Sequence, residues 1–160
     1  LTRSGSVKFF SSAPMEDIEA VTNKALSIID IKKSTVAVDI LMKSFSFDKK
    51  LMQEHFNENY MESDKFPKGS FKGAYVADSN ISNLVDGTYE VLAKGELSIH
   101  GVKKQIETPV TLNIKGRKIS ANFVFKVNVA EFDIKIPKVV VKNIAEEVEV
   151  TCAFEYEPYN

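Results

Sequence analysis

Hydrophobic and polar residues alternate through most of the second half of the chain, the period of a strand with one dry and one wet face. Tyr89, Val91, Ala93, Leu97 and Ile99 share a face with Gly95, against Glu90, Lys94, Glu96, Ser98 and His100, which share theirs with Leu92. The pattern returns in Thr108, Val110, Leu112 and Ile114, in Ile119, Ala121, Phe123, Phe125 and Val127, and in Val148, Val150, Cys152, Phe154 and Tyr156. The last run turns Cys152 inward, where a thiol behaves as a small, unreactive hydrophobe. Asp86-Gly87, His100-Gly101 and Lys115-Gly116 separate the runs. Each supplies a glycine where φ can turn positive, so consecutive strands are predicted to be hairpin-linked and antiparallel. Earlier strands are predicted over 6–11, about 19–29, 35–47 and 70–77, for eight or nine in all.

Three stretches depart from clean alternation. In 35–47, Val36, Val38, Ile40 and Met42 alternate with Ala37, Asp39, Leu41 and Phe45, so both faces are partly apolar. Such a strand is expected to be covered on both sides, its outer face by a helix lying across the barrel or by a second copy. Residues 48–61 read as one amphipathic helix with Asp48 as N-cap, with Met52, Phe56 and Tyr60 four apart, ended before Pro67. A single helix between strands of an antiparallel meander builds no βαβ unit, so it is predicted to cover a barrel end or flank. Residues 15–21 fit either a short helix, through Met15, Ile18 and Val21, or the ragged start of a strand.

The 160 residues fit one domain, 1–160, with a single core that needs no disulfide or structural metal. Lys and Arg total 21 against 22 Asp and Glu, a net charge of −1, and the basic residues are scattered. That distribution gives no electrostatic footprint for nucleic acid. No apolar run is long enough to span a bilayer. The first residue is Leu1, which suggests a removed signal peptide and a periplasmic or secreted protein; the lone Cys152 is compatible with either redox environment. Eleven Phe and five Tyr with no Trp call for a large apolar interior.

Candidate chemistry is sparse. His55 and His100 have no second His or Cys at metal-binding spacing, so no zinc site is expected. His55, beside Glu54 and Glu58, is the one candidate for acid or base work, in a hydrolase or isomerase. His100, in a tight turn, is expected to bond local backbone. Asp78, Asn80 and Ser82 alternate like calcium ligands, but Asn83 stands where that loop needs glycine and Tyr89 where it needs glutamate. No catalytic residue, metal or cofactor is therefore assigned. An eight-stranded antiparallel barrel remains, its interior either filled by side chains or hollow enough for one small ligand.

Two motifs go further. Gly95-Glu-Leu-Ser-Ile-His-Gly-Val-Lys-Lys104 resembles the strand-turn-strand signature of the YceI-like family, with Ser98 and Lys103 in place of threonines. Tyr60-Met-Glu-Ser-Asp-Lys-Phe-Pro-Lys-Gly-Ser-Phe71 is similar to the family's acidic segment followed by Phe-Pro and a strand-opening Phe. With the preceding Leu51-Met-Gln-Glu-His-Phe56 it is close to the form of Bacteroidetes-type members, and Phe132-Asp-Ile-Lys-Ile-Pro137 also fits. The resemblance covers about 6–156. It implies an all-β, extended eight-stranded, lipocalin-like barrel, usually dimeric, with a tunnel for a polyisoprenoid such as an isoprenoid quinone or polyprenyl phosphate, or for another long-chain lipid. A fatty-acid or fatty-amide carrier, and a ligand-free structural or interaction barrel, are the alternatives.

Phe45, Phe71, Tyr75, Tyr89, Phe123, Phe125 and Phe154 are the aromatic candidates for the tunnel wall, with Val91, Leu97 and Leu112 between them. Met52 and Phe56 on the helix, and Phe66, are the candidates for its end. An anionic head group would need cations at the mouth. Arg3 and Arg117 are the only arginines, and Lys65, Lys68 and Lys72 surround the Phe66-Pro67 corner.

Overall fold

The computed structural model describes residues 1–11, 18–132, 134 and 147–157. Among these, nine strands run β1 (Thr2–Ser11), β2 (Ile18–Asp30), β3 (Thr35–Leu41), β4 (Ser46–Phe47), β5 (Lys68–Tyr75), β6 (Gly87–Ile99), β7 (Val102–Lys115), β8 (Lys118–Asn128) and β9 (Glu147–Tyr156). Two short helices, α1 (Lys50–His55) and α2 (Ser79–Ser82), interrupt them. The strands pair antiparallel in the order β1-β9-β8-β7-β6-β5-β3-β2, and β2 pairs back onto β1, closing an eight-stranded barrel. The two-residue β4 hangs on β2 at Ala20 and Val21.

The hairpins β6–β7 and β7–β8 turn where the sequence places glycine. Ile99 pairs with Val102 around His100 (φ 55°) and Gly101 (φ 75°), and Lys115 pairs with Lys118 around Gly116 (φ 57°) and Arg117 (φ 65°). Positive φ at both central residues matches the twist of the flanking strands. Asp86-Gly87 makes no hairpin. It leads from α2 into β6, and the Asp86 carboxylate accepts from the Gly116 N–H at 3.0 Å.

The stretch 35–47 is not one strand. It breaks at Met42–Ser44 into a 3-10 turn before β4. The Ser44 hydroxyl donates to the Leu41 carbonyl at 2.6 Å and lies 2.7 Å from Thr22 Oγ1, while the Met42 N–H donates to the Pro67 carbonyl at 2.9 Å. Local serine bonding of this kind competes with the ladder. The helix over 48–61 is likewise shorter: α1 ends at His55, and Phe56–Tyr60 form a π-helical turn. Its cap is Lys49, not Asp48, and no side chain caps it. The Met61 N–H reaches the Phe56 carbonyl at 2.8 Å, and that wider turn puts residues five apart on one side. Phe56 and Met61 consequently both face the barrel interior. No helix crosses the outer face of β3 among the described residues; α1 covers a barrel end. Residues 12–17, which include 15–17 of the undecided stretch 15–21, lie outside the described residues, as does most of 133–137; Ile18 onward is strand.

Candidate ligand-binding cavity

Inward-facing residues do not fill the barrel evenly. One end holds a cavity of about 170 Å³, the other a cavity of about 20 Å³. The large cavity is walled by carbon from every strand but β2 among those described, including Val7 and Phe9 of β1, Val38 and Ile40 of β3, Ile99 of β6, Ile106 of β7, and Val148 and Val150 of β9. Its outer end is lined by Met42, Phe45, Phe47, Met52, Phe56 and Met61. Four of the rings there interlock: Phe9 lies 5.1 Å from Phe45 and 5.3 Å from Phe56, and Phe47 lies 5.1 Å from Phe56. These are favourable stacked and edge-on separations, and the methionines around them adapt to irregular shapes.

A void needs about 10–15 Å³ by this measure to hold one water, so about 170 Å³ has room for on the order of ten water-sized groups. Hydrocarbon buried there is worth about 0.8 kcal/mol per methylene-sized group. Water gains little in its place, because a bound water needs two to four polar partners and this wall offers few.

The polar groups that border the large cavity are the Ser11, Ser70 and Thr108 hydroxyls and the Cys152 thiol. Thr108 Oγ1 is committed to the backbone, 3.4 Å from the Val124 carbonyl. Burial pushes the Cys152 thiol up from 9.0 to about 12, so it stays protonated. An apolar, neutral chain is what such a wall accommodates. Among the described residues no group of three or more His, Cys, Asp or Glu could hold a metal ion.

The sequence matches the model of the YceI-like domain over residues 4–156, nearly the whole chain. It belongs to the YceI-like family. The fold is shared with the polyisoprenoid-binding domain from Saccharophagus degradans implicated in plant cell wall breakdown, at TM-score 0.84 and 15% identity over 98% of this chain and 95% of that one. Burkholderia cenocepacia BcnA superposes with TM-score 0.80 at 17% identity, covering 96% of each chain. A Campylobacter jejuni YceI protein follows at TM-score 0.69 and 15% identity, over 88% of this chain and 85% of that one. No curated protein sequence is detectably similar to the chain.

In this YceI-like barrel, Phe45, Phe71, Leu97, Phe123 and Phe125 all border the large cavity, together with Met52 and Phe56 at its end. Tyr75, Val91 and Leu112 border the small one. Three expected residues border neither. Phe154 fills the space over Gly5, where a Cβ would stand 2.3 Å from its ring. The Tyr89 hydroxyl donates to the Val85 carbonyl at 2.6 Å, outside the barrel lumen. Phe66 packs on the His100 ring at 4.5 Å and over Gly101. The arginines and Lys65, Lys68 and Lys72 line neither cavity, so among the described residues these cations form no collar there.

His55 is exposed on α1 and borders neither cavity. His100 corrects a second expectation: its bonds are long-range. It is 8% exposed, with Nδ1 at 3.1 Å from the Phe132 carbonyl and Nε2 at 3.0 Å from Glu62 Oε1. It therefore ties the β6–β7 turn to two other segments whose neighbours, Met61 and Val129, line the large cavity. The Asp78 carboxylate accepts from the Ile81 N–H at 3.0 Å and caps α2. Wall residues not singled out from sequence, such as Val7, Phe9 and Ile106, carried a signal only in their spacing of two along their strands.

Proposed function

We propose that this YceI-like barrel binds and carries a long-chain apolar ligand of the polyisoprenoid class, held in the large cavity. The observation that carries the reading is that cavity: about 170 Å³ of carbon-walled space inside one end of the barrel. At about 0.8 kcal/mol per buried methylene-sized group, ten groups contribute roughly 8 kcal/mol gross, which reaches the micromolar range before the costs of association. The similarity in fold to a polyisoprenoid-binding domain supports the cargo class. The reading is of a carrier rather than an enzyme, because the groups on the wall are carbon, hydroxyls and a thiol held protonated. The exposed outer face of β2 and β3, where Ile28 lies opposite Ala37 and Leu41 is 55% exposed, supports pairing of two copies.

The test is native mass spectrometry of protein purified from its own source, with solvent extraction of the same sample. A stoichiometric isoprenoid lipid released on denaturation is the expected result, and the intact mass reports the number of copies. A fatty acid or its amide would keep the carrier and change the cargo. Material that carries no lipid and takes up none of the long-chain isoprenoids offered to it would overturn the reading.

A further inference from the structure

The two cavities lie end to end along the barrel axis. On every strand that borders both, the residues divide the same way: Val38 and Ile40 against Val36 on β3, Leu97 and Ile99 against Val91 and Ala93 on β6, Phe125 and Val127 against Ala121 on β8. The residues common to both linings, among those described, are Phe71, Thr108 and Phe123, one each from β5, β7 and β8. They form the layer between the two spaces.

We propose that Phe71 and Phe123 are an internal stop that sets the longest tail the barrel accepts. This rests on the carrier reading and names the residues that give it chain-length selectivity. Both rings are held rather than free. The Phe71 ring lies over Gly73, where a Cβ would come within 2.7 Å of its tip, so the glycine is the seat of the ring. Phe123 stacks on Phe125 at 6.1 Å and leans on Phe154 at 5.7 Å. Thr108, between strands carrying the rings, is 1% exposed. A tail entering the large cavity meets this layer end-on.

Beyond the stop the lumen continues. From Thr108 to Leu112 is four residues on β7, about 10 Å along the axis at roughly 3.3 Å per residue and about 40° of tilt. That length holds the small cavity, bounded by Ile29, Val36, Val91 and Val110, with Tyr75 and Tyr156 among its walls. The Tyr75 hydroxyl is buried without a hydrogen-bond partner among the described residues. Removing either phenylalanine ring joins this space to the large cavity and frees the volume of its six ring carbons.

The experiment measures the affinity of the whole protein for a homologous series of straight-chain fatty acids and linear prenols, by displacement of a fluorescent fatty-acid analogue. For the natural sequence, affinity rises with carbon number and then stops rising at a defined length. In Phe123→Ala, and independently in Phe71→Ala, that plateau moves outward by roughly four to six carbons, because such sites collapse only in part. Each two carbons beyond the original plateau gain up to about tenfold in affinity. Phe123→Leu and Phe71→Leu, which disturb the packing less, give a smaller shift in the same direction and serve where the alanine variants do not fold. An unchanged plateau in folded variants that still bind overturns the stop and leaves the carrier standing. Failure of the natural sequence to bind any member of the series removes the carrier reading itself.

Discussion

Cys152 shows how one side chain reports on the interior. It is 3% exposed on β9, and desolvation lifts its thiol from 9.0 to about 12. The Tyr156 phenol, two turns of the pleat away, is likewise raised from 10.0 to about 12, by burial first and against the lowering effect of its bond to Ser27. Folded values above the unfolded ones mean that the protein holds protons the unfolded chain gives up. The associated stability is complete below pH 9 and is lost as pH rises from there toward 12. We expect Cys152 to resist aromatic disulfide reagents at pH 8 until the protein unfolds, and the melting temperature to fall through that alkaline window, followed by circular dichroism. The inward direction of Cys152 was legible from alternation alone. The role of Gly95 was not: a Cβ there would stand 2.2 Å from the Lys72 carbonyl, and close approach of β5 to β6 is invisible until the strands are paired.

At the scale of elements, long hairpins were legible and short irregular pieces were not. β6 and β7 pair from Gly87 with Ile114 to Ile99 with Val102, because alternation and a two-residue turn fix the register together. The stretch 35–47 alternates just as well, yet it breaks where Ser44 bonds Leu41 and where Met42 turns inward. Met42 continues the inward face of Val38 and Ile40, and the break carries Phe45 from the opposite face into the cavity, which accounts for part of the both-sided apolar pattern. The π-helical turn after α1 follows from tertiary demand, which brings Phe56 and Met61 to one cavity. His100 joins three such segments through bonds to Phe132 and Glu62. His100→Ala should cost about 2 kcal/mol in chemical denaturation, since it leaves a buried carbonyl unpaired. Amide exchange should quicken in 62–66 and 129–132 more than in β6 and β7.

For the whole molecule, periodicity identified which residues face inward but not how much space they leave. Filled and hollow barrels share the same alternation, and the difference lies in side-chain volumes summed across eight strands that are neighbours only after folding. The small cavity and the large one have equally apolar linings, and only packing separates them. A barrel that carries a void of this size is stabilised by whatever fills it. Protein stripped of lipid should melt below loaded protein, and ligand at a hundred times its Kd should restore about 2.7 kcal/mol, read from the shift of the thermal transition. A ligand-insensitive transition would argue for a barrel whose interior does not exchange cargo.

The closure of that barrel sets the order in which it can form. β1 is hydrogen-bonded on one side to β2 and on the other to β9, with Ser6 opposite Ala153 and the Glu157 N–H reaching the Leu1 carbonyl at 3.0 Å. β1 therefore finds one of its two partners only when β9, about 140 residues later, has been made. Such sequence-distant pairing is slow, on the millisecond to second scale, because loop entropy is lost before the contacts return it. Until then β1 presents an open edge, and the lumen is a trough rather than a tube. A nascent chain in this state offers its apolar floor sideways to any hydrocarbon nearby, so the first cargo need not be threaded in from an end.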